Sequence, residues 1–205
     1  MKLLIIGATG MIGSRLVAEA EARGHQVVAG SRNGAAVGSA RSLAIDVADR
    51  PAVAAAAQDV DVVIGAVSPR SSAETMAEAL AYGDALIAAA QDSGKPMMVV
   101  GGAGTLNLPD GTPVADIVPA PYQAEAKAMR ALYEKLAASA ANFTVLAPAG
   151  LIEPGERTGI FRLGGRELLV DEAGNSRISA EDYAVALLDE VEAPKHPRQV
   201  FTAAY

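Results

Sequence analysis

The chain alternates short apolar runs with longer stretches in which apolar residues recur every three or four positions. Residues 2–6 (KLLII) read as a central parallel strand buried on both faces. Residues 11–23 carry Ile12, Leu16 and Val17 at helical spacing, and Gly24 closes the stretch. The same pattern predicts strands at 26–30, 42–45, 61–67, 96–101 and 143–147, and helices at 51–58, 74–93 and 122–140. A loop rich in glycine and proline spans 102–121. Strands alternating with helices mean right-handed βαβ units and a parallel sheet. Two such halves predict an α/β, doubly wound, mostly parallel sheet with strand order 3-2-1-4-5-6.

The pattern changes after residue 150. Runs at 160–163 and 167–170 flank Gly164 and Gly165, which reads as a β-hairpin with a glycine turn. Residues 179–192 form a predicted helix with Ser179 as N-cap and Asp182 at the capping-box position. Residues 199–202 predict a last strand. The expectation is a single domain over 1–205, with 151–205 a small hairpin-helix-strand extension forming a lid on the substrate side of the sheet's C-terminal edge.

The segment Gly7-Ala8-Thr9-Gly10-Met11-Ile12-Gly13 sits directly between the first strand and the first helix. A GxxGxxG loop in this place is the dinucleotide-binding turn of a Rossmann-type fold. Its first glycine permits the tight turn, its second lets a pyrophosphate approach the backbone, and its third lets helix and strand pack closely. The helix N-terminus offers free N–H groups and a positive dipole end to the phosphates. A glycine triplet without that context is also an ordinary βα turn.

An acidic residue at the end of the second strand binds the ribose 2′-hydroxyl in NAD-specific folds. No acid stands there; the only charged residues between Gln26 and Ile45 are Arg32 and Arg41. Ser31-Arg32-Asn33 occupies the place of a 2′-phosphate, which an arginine can grip with charge-assisted bonds. The pattern therefore predicts NADP(H), with NAD(H) as the other possibility and a solvated Arg32 as the alternative role. Asp46 with Val47 ends the third strand, and suits either an adenine contact or a helix cap. Ala66, Val67 and Ser68 end the fourth strand, where small residues let a ribose lie close. Arg70 beyond them is either a surface charge or a second phosphate contact.

Composition narrows the chemistry. The chain has 205 residues with a formal net charge of −7, which argues against nucleic acid or an anionic membrane as partner. There are no cysteines and two histidines, so thiol chemistry, disulfides and a histidine-rich metal site are excluded. No apolar run reaches the ~20 residues that span a bilayer, and Met1 leads straight into the first strand with no signal-like leader. A cytoplasmic protein is expected. Neither a heptad stripe nor a self-complementary patch decides between monomer and homodimer.

GATGMIG at the start, SRN after the second strand and the glycine-rich end of the fifth strand resemble atypical short-chain dehydrogenases/reductases. The resemblance is greatest to the NAD(P)H-binding flavin reductase/biliverdin-IXβ reductase-like group, and covers essentially the whole chain. Residues 153–159 (EPGERTG), 177–179 (RIS) and 181–184 (EDYA) are similar to that group as well. The resemblance implies hydride transfer from NAD(P)H to a flavin or a related small planar acceptor. It implies that Gly7, Thr9, Gly10, Met11, Ile12 and Gly13 hold the pyrophosphate, Arg32 the 2′-phosphate, and Ala66, Val67 and Ser68 the ribose. Gly101, Gly102, Pro148, Ala149, Gly150 and Leu151 would border the nicotinamide, although Pro148 is equally placed to end a strand.

The chain departs from typical short-chain dehydrogenases at their Tyr-x-x-x-Lys pair. That spacing sets both side chains about 40° apart on one helix face. Tyr122 opens the right helix, but position 126 is Ala126, and Lys127 lies about 140° round. Tyr133 and Lys135 are misplaced too, and no serine partner follows the fifth strand. Ketone chemistry needs a proton donor beside the carbonyl, whereas a reduced flavin can take its proton from water. Tyr122 and Lys127 stand as single candidate donors, against packing and solvated roles. Two other readings stand beside it: an NADP(H)-binding redox sensor without turnover, which the missing pair supports, and, more weakly, a sugar-nucleotide epimerase, which normally needs that pair and a larger C-terminal domain.

Overall fold

The computed structural model describes residues 1–69 and 74–205. Its strands are β1 (Lys2–Ile6), β2 (Gln26–Ser31), β3 (Arg41–Ala44), β4 (Val62–Gly65), β5 (Met97–Val100), β6 (Phe143–Pro148), β7 (Leu151–Glu153), β8 (Arg162–Gly164), β9 (Arg177–Ser179) and β10 (Val200–Ala204). The helices are α1 (Met11–Ala22), α2 (Arg50–Gln58), α3 (Thr75–Ser93), α4 (Val114–Ile117), α5 (Ala120–Ala138) and α6 (Ala180–Glu192). The main sheet runs β3-β2-β1-β4-β5-β6-β10-β8, and β7 and β9 form a separate parallel pair. The first six strands follow the predicted doubly wound order. All their pairings are parallel, as is that of β10 with β6.

Strand periodicity divides the core in two. Leu4 and Ile6 of β1 join one apolar cluster with Val53, Tyr82, Leu86, Met129 and Leu132 from α2, α3 and α5. Leu3 and Ile5 face the other way, toward Leu16 and Val17 of α1 and Tyr183 and Leu187 of α6. This two-sided burial explains why β1 is uniformly apolar. Gly94 ends α3 in the left-handed region, φ +67°, where its N–H reaches Ala90 O. α5 starts earlier than expected, at Ala120, because Pro121 is tolerated in a first helical turn. The 102–121 loop holds structure of its own, a 3-10 turn (Ala103–Thr105) and α4, with Leu106 and Val114 buried.

The tail departs from expectation in three ways. The predicted hairpin does not form: β8 pairs antiparallel with β10, and Glu167 bridges Asn107 instead. Neither Gly164 nor Gly165 takes the positive φ that a tight hairpin turn requires, and β10 presents a free sheet edge to β8. The capping box is half formed. Ser179 Oγ accepts from Asp182 N at 2.9 Å, but the Asp182 carboxylate turns to Thr158 and Gly159 rather than back to its own helix. Finally, α6 and β10 are core and not lid, since Tyr183 and Phe201 are among the largest fully buried side chains.

Candidate functional site

The C-terminal ends of β1, β4, β5 and β6 share one edge of the sheet, and most of the expected cofactor residues lie there. The turn after β1 is tied to β2, because Gly7 N and Ala8 N both donate to Gly30 O at 2.9 and 3.0 Å. The three glycines of the loop do different work. Gly7 has φ +87°, and a Cβ there would lie 2.3 Å from Ala66 O. A Cβ on Gly13 would lie 2.0 Å from Gly7 O. The fold itself therefore demands glycine at both positions. Gly10 is exposed, in ordinary extended backbone at φ −73°, and its Cβ would meet only Gly7 O at 3.3 Å. The chain makes only a mild demand for glycine at 10; a ligand lying on the backbone makes a strong one.

Gly10 is also the N-cap of α1, with no side-chain cap and no acid in the first turn. The first-turn N–H groups are thus left for an anion. Thr9 is exposed beside Gly10, and Met11 and Ile12 are half-buried. Ala66, Val67 and Ser68, half-buried, lie against the loop, since Gly7 touches Ala66 and Val67. These residues fit a pyrophosphate between the first helix and the end of β4.

The Ser31-Arg32-Asn33 turn is held by its own side chains. Ala35 N donates to Ser31 Oγ at 3.1 Å and to Asn33 Oδ1 at 3.3 Å. Arg32 is exposed, and has neither a hydrogen bond nor an ion pair to a described residue. A guanidinium held on a rigid turn without a partner suits a phosphate. Asp46 is exposed and accepts from Ala48 N at 2.9 Å, while the cap of α2 is Asp49. Of the two roles expected for Asp46, capping therefore belongs to its neighbour. Val47 packs partly against the core. Arg70 lies outside the described residues.

On the other half of the edge, Gly101 N donates to Leu146 O at 2.8 Å, and a Cβ on Gly102 would meet Met129 Cβ at 3.1 Å. Pro148 ends β6 and is buried, as is Ala149, whereas Gly150 and Leu151 are exposed. Tyr122 is 63% exposed near the start of α5. The Lys127 ammonium lies 3.8 Å from the Asp116 carboxylate, and both side chains are more than half exposed, an arrangement worth little energetically. Ala126, where the lysine of typical members would stand, abuts Gly104 through its backbone. Among the described residues no tyrosine hydroxyl is hydrogen-bonded to a lysine ammonium.

Three supporting residues escaped the sequence reading. Arg130 Nη1 gathers Gly104 O at 3.3 Å and Asn107 Oδ1 at 3.0 Å, fixing the turn after Gly102. Tyr183 donates to Leu146 O at 2.6 Å beneath the end of β6, and burial raises its pKa. The Tyr82 hydroxyl is buried, makes no well-formed hydrogen bond to a described residue although the Val67 backbone lies close enough to oppose the upward pull of burial on its pKa, and occupies the space of a Gly65 side chain. Gly65 in an otherwise branched strand was the one available signal for the last.

The family described as NAD(P)H-binding matches residues 7–194. The chain belongs to that family. Among solved structures, a Burkholderia pseudomallei protein described as exported is 46% identical with TM-score 0.91, covering 100% of both chains. A Bacteroides thetaiotaomicron protein described as a candidate epimerase is 34% identical, TM-score 0.88, over 100% of this chain and 96% of that one. A candidate NADH-flavin reductase from Streptococcus pneumoniae is 29% identical, TM-score 0.86, over 100% and 99%. No helix among the described residues is long and apolar enough to cross a membrane.

Proposed function

We propose that the protein is an NAD(P)H-dependent reductase, with NADPH preferred, acting on a flavin or a related small planar acceptor. The observation that carries this reading is the uncapped N-terminus of α1 over an exposed Gly10, with Arg32, which bonds to no described residue, one strand away. In this reading Gly7, Thr9, Gly10, Met11, Ile12 and Gly13 hold the pyrophosphate, and Arg32 the 2′-phosphate. Ala66, Val67 and Ser68 line the ribose. Gly101, Gly102, Gly150 and Leu151 border the nicotinamide ring.

The bound cofactor supplies a hydride. The chain's own contribution is to orient the two rings and to leave proton supply to water, which a flavin tolerates and a ketone does not. That division favours the flavin reductase over the epimerase reading. The same missing pair also favours a sensor that binds NADP(H) without turnover. Residues 151–205 belong to the same domain in this reading, and a cytoplasmic location follows from reliance on the NADPH pool.

The test is NADPH and NADH oxidation by purified protein with FMN, FAD and riboflavin as acceptors. Turnover supports the reductase; saturable NADPH binding with no turnover supports the sensor. Arg32→Ala should cost NADPH roughly tenfold or more, the worth of a charge-assisted bond, and leave NADH binding unchanged. Equal losses for the two cofactors would overturn the 2′-phosphate role. An unchanged kcat in Tyr122→Phe and Lys127→Met would remove both residues as proton donors.

A further inference from the structure

Two tail segments that resemble the reductase group, 153–159 and 181–184, bind each other and also bind α1. Every residue from 155 to 159 is fastened separately. Gly155 N donates to Glu181 Oε2 at 2.7 Å, and Glu156 O accepts from Ser179 Oγ at 2.7 Å. Arg157 forks onto both oxygens of Glu19 at 2.7 and 2.8 Å. Thr158 N and Oγ1 reach Asp182 at 2.8 and 2.5 Å, and Gly159 N reaches it at 2.7 Å. Asp182 is fully buried. Burial alone would raise its pKa, but Thr158, Gly159 and Tyr205 more than compensate and hold it down. A surface loop bonded at five consecutive residues forms a clasp, and surface segments open locally at lower cost than the core.

Glu181 links this clasp to the glycine loop. Its second oxygen, Oε1, accepts from Arg15 Nε at 2.9 Å, and Arg15 Nη1 donates to Met11 O at 3.2 Å. Met11 is the first residue of α1, next to Gly10. Three consecutive bonds therefore join the residue proposed to hold pyrophosphate to the N–H of Gly155. When the clasp opens, Glu181 loses its partner on the loop, and the carboxylate that orients Arg15 toward Met11 O is then held by Arg15 alone.

We propose that Glu181 is a positioning residue that couples dinucleotide binding at the glycine loop to closure of the 155–159 clasp. The inference rests on the cofactor reading above. Linkage then makes it reciprocal: a cofactor that prefers the closed arrangement suppresses opening, and loss of the clasp weakens the cofactor by the same factor.

Arg157 provides the readout, because trypsin can cut after it only when its fork to Glu19 opens. Cleavage after Arg157 would be followed by mass spectrometry with and without saturating NADPH, and NADPH binding measured separately by calorimetry. In the native protein NADPH should slow this cut at least threefold. In Glu181→Gln, which keeps the side chain's shape, the protection should vanish and NADPH affinity fall about threefold. Arg15→Gln should behave alike, and covers the case in which the first variant does not fold. Binding without protection in the native protein overturns the coupling and spares the cofactor reading. Undiminished protection in the variants, the signature of global unfolding, overturns it equally. An absence of NADPH binding overturns the cofactor reading itself.

Discussion

The two halves of the sheet edge are built by different means. On the side of β1, β2 and β4 the site is a local product: seven consecutive residues make the glycine loop, and three more place Arg32. On the side of β5 and β6 it is made of distant parts. Arg130 on α5 holds the turn after Gly102 and Tyr183 on α6 supports the end of β6, while elsewhere the clasp joins residues 15, 19, 155–159, 179, 181 and 182 across α1 and α6. A dinucleotide presents the same phosphates to every protein, so a short local motif suffices for it, whereas a surface assembled by long-range packing can vary independently of that motif.

The largest effect that would break this comparison is expected at Gly13. Gly13→Ala forces a methyl to 2.0 Å from Gly7 O, an overpacked backbone contact costing ~3 kcal/mol or more. Thermal denaturation should show a strong loss of stability together with loss of NAD(P)H binding. Gly10→Ala separates the two properties. Its Cβ meets the chain only at 3.3 Å, so stability should shift by less than about 1 kcal/mol, while calorimetry should show NADPH affinity reduced tenfold or more. Stability loss at 10 as large as at 13 would mean that the fold, and not the ligand, selects that glycine.

A third effect concerns the clasp. Arg157, against the opposing pull of burial and with help from Arg23, lowers the pKa of Glu19 from 4.5 to about 2. A carboxylate depressed in the fold contributes stability that is fully present above its unfolded pKa and is lost as pH falls through its folded one. The melting temperature should therefore drop between pH 4.5 and about 2, and Glu19→Gln should flatten that drop. An unaltered acid limb in the variant would remove the Glu19–Arg157 pair as its source. The smallest effect is expected at Tyr82. Since its hydroxyl makes no well-formed hydrogen bond among the described residues, with only the Val67 backbone close by, Tyr82→Phe should leave the melting temperature unchanged or slightly raised, and a clear loss would show that the Val67 contact is a bond that matters.

Much of the fold was legible in the chain because strand and helix leave different apolar periods, and β1 to β6 keep them cleanly. The tail was less legible. Its runs at 160–163 and 167–170 look like hairpin partners, yet each found another segment, β10 and Asn107. Alternation reports that a segment is extended but not which edge it will join. Asp182 shows the same limit for side chains: its spacing from Ser179 predicts a reciprocal cap, and a loop more than twenty residues away claims the carboxylate.

The sequence by itself determined the glycine loop, the basic turn at Arg32, the doubly wound order and the lack of a Tyr–Lys pair. Each depends on residues within one helical turn or one βα unit, where backbone geometry leaves few choices. Only the tertiary structure decided which glycines the fold requires, that α6 and β10 are core, and that the two tail motifs close on each other. Those outcomes rest on atoms that the fold brings within about 3 Å of each other, at the distance where hydrogen bonds and steric contact act.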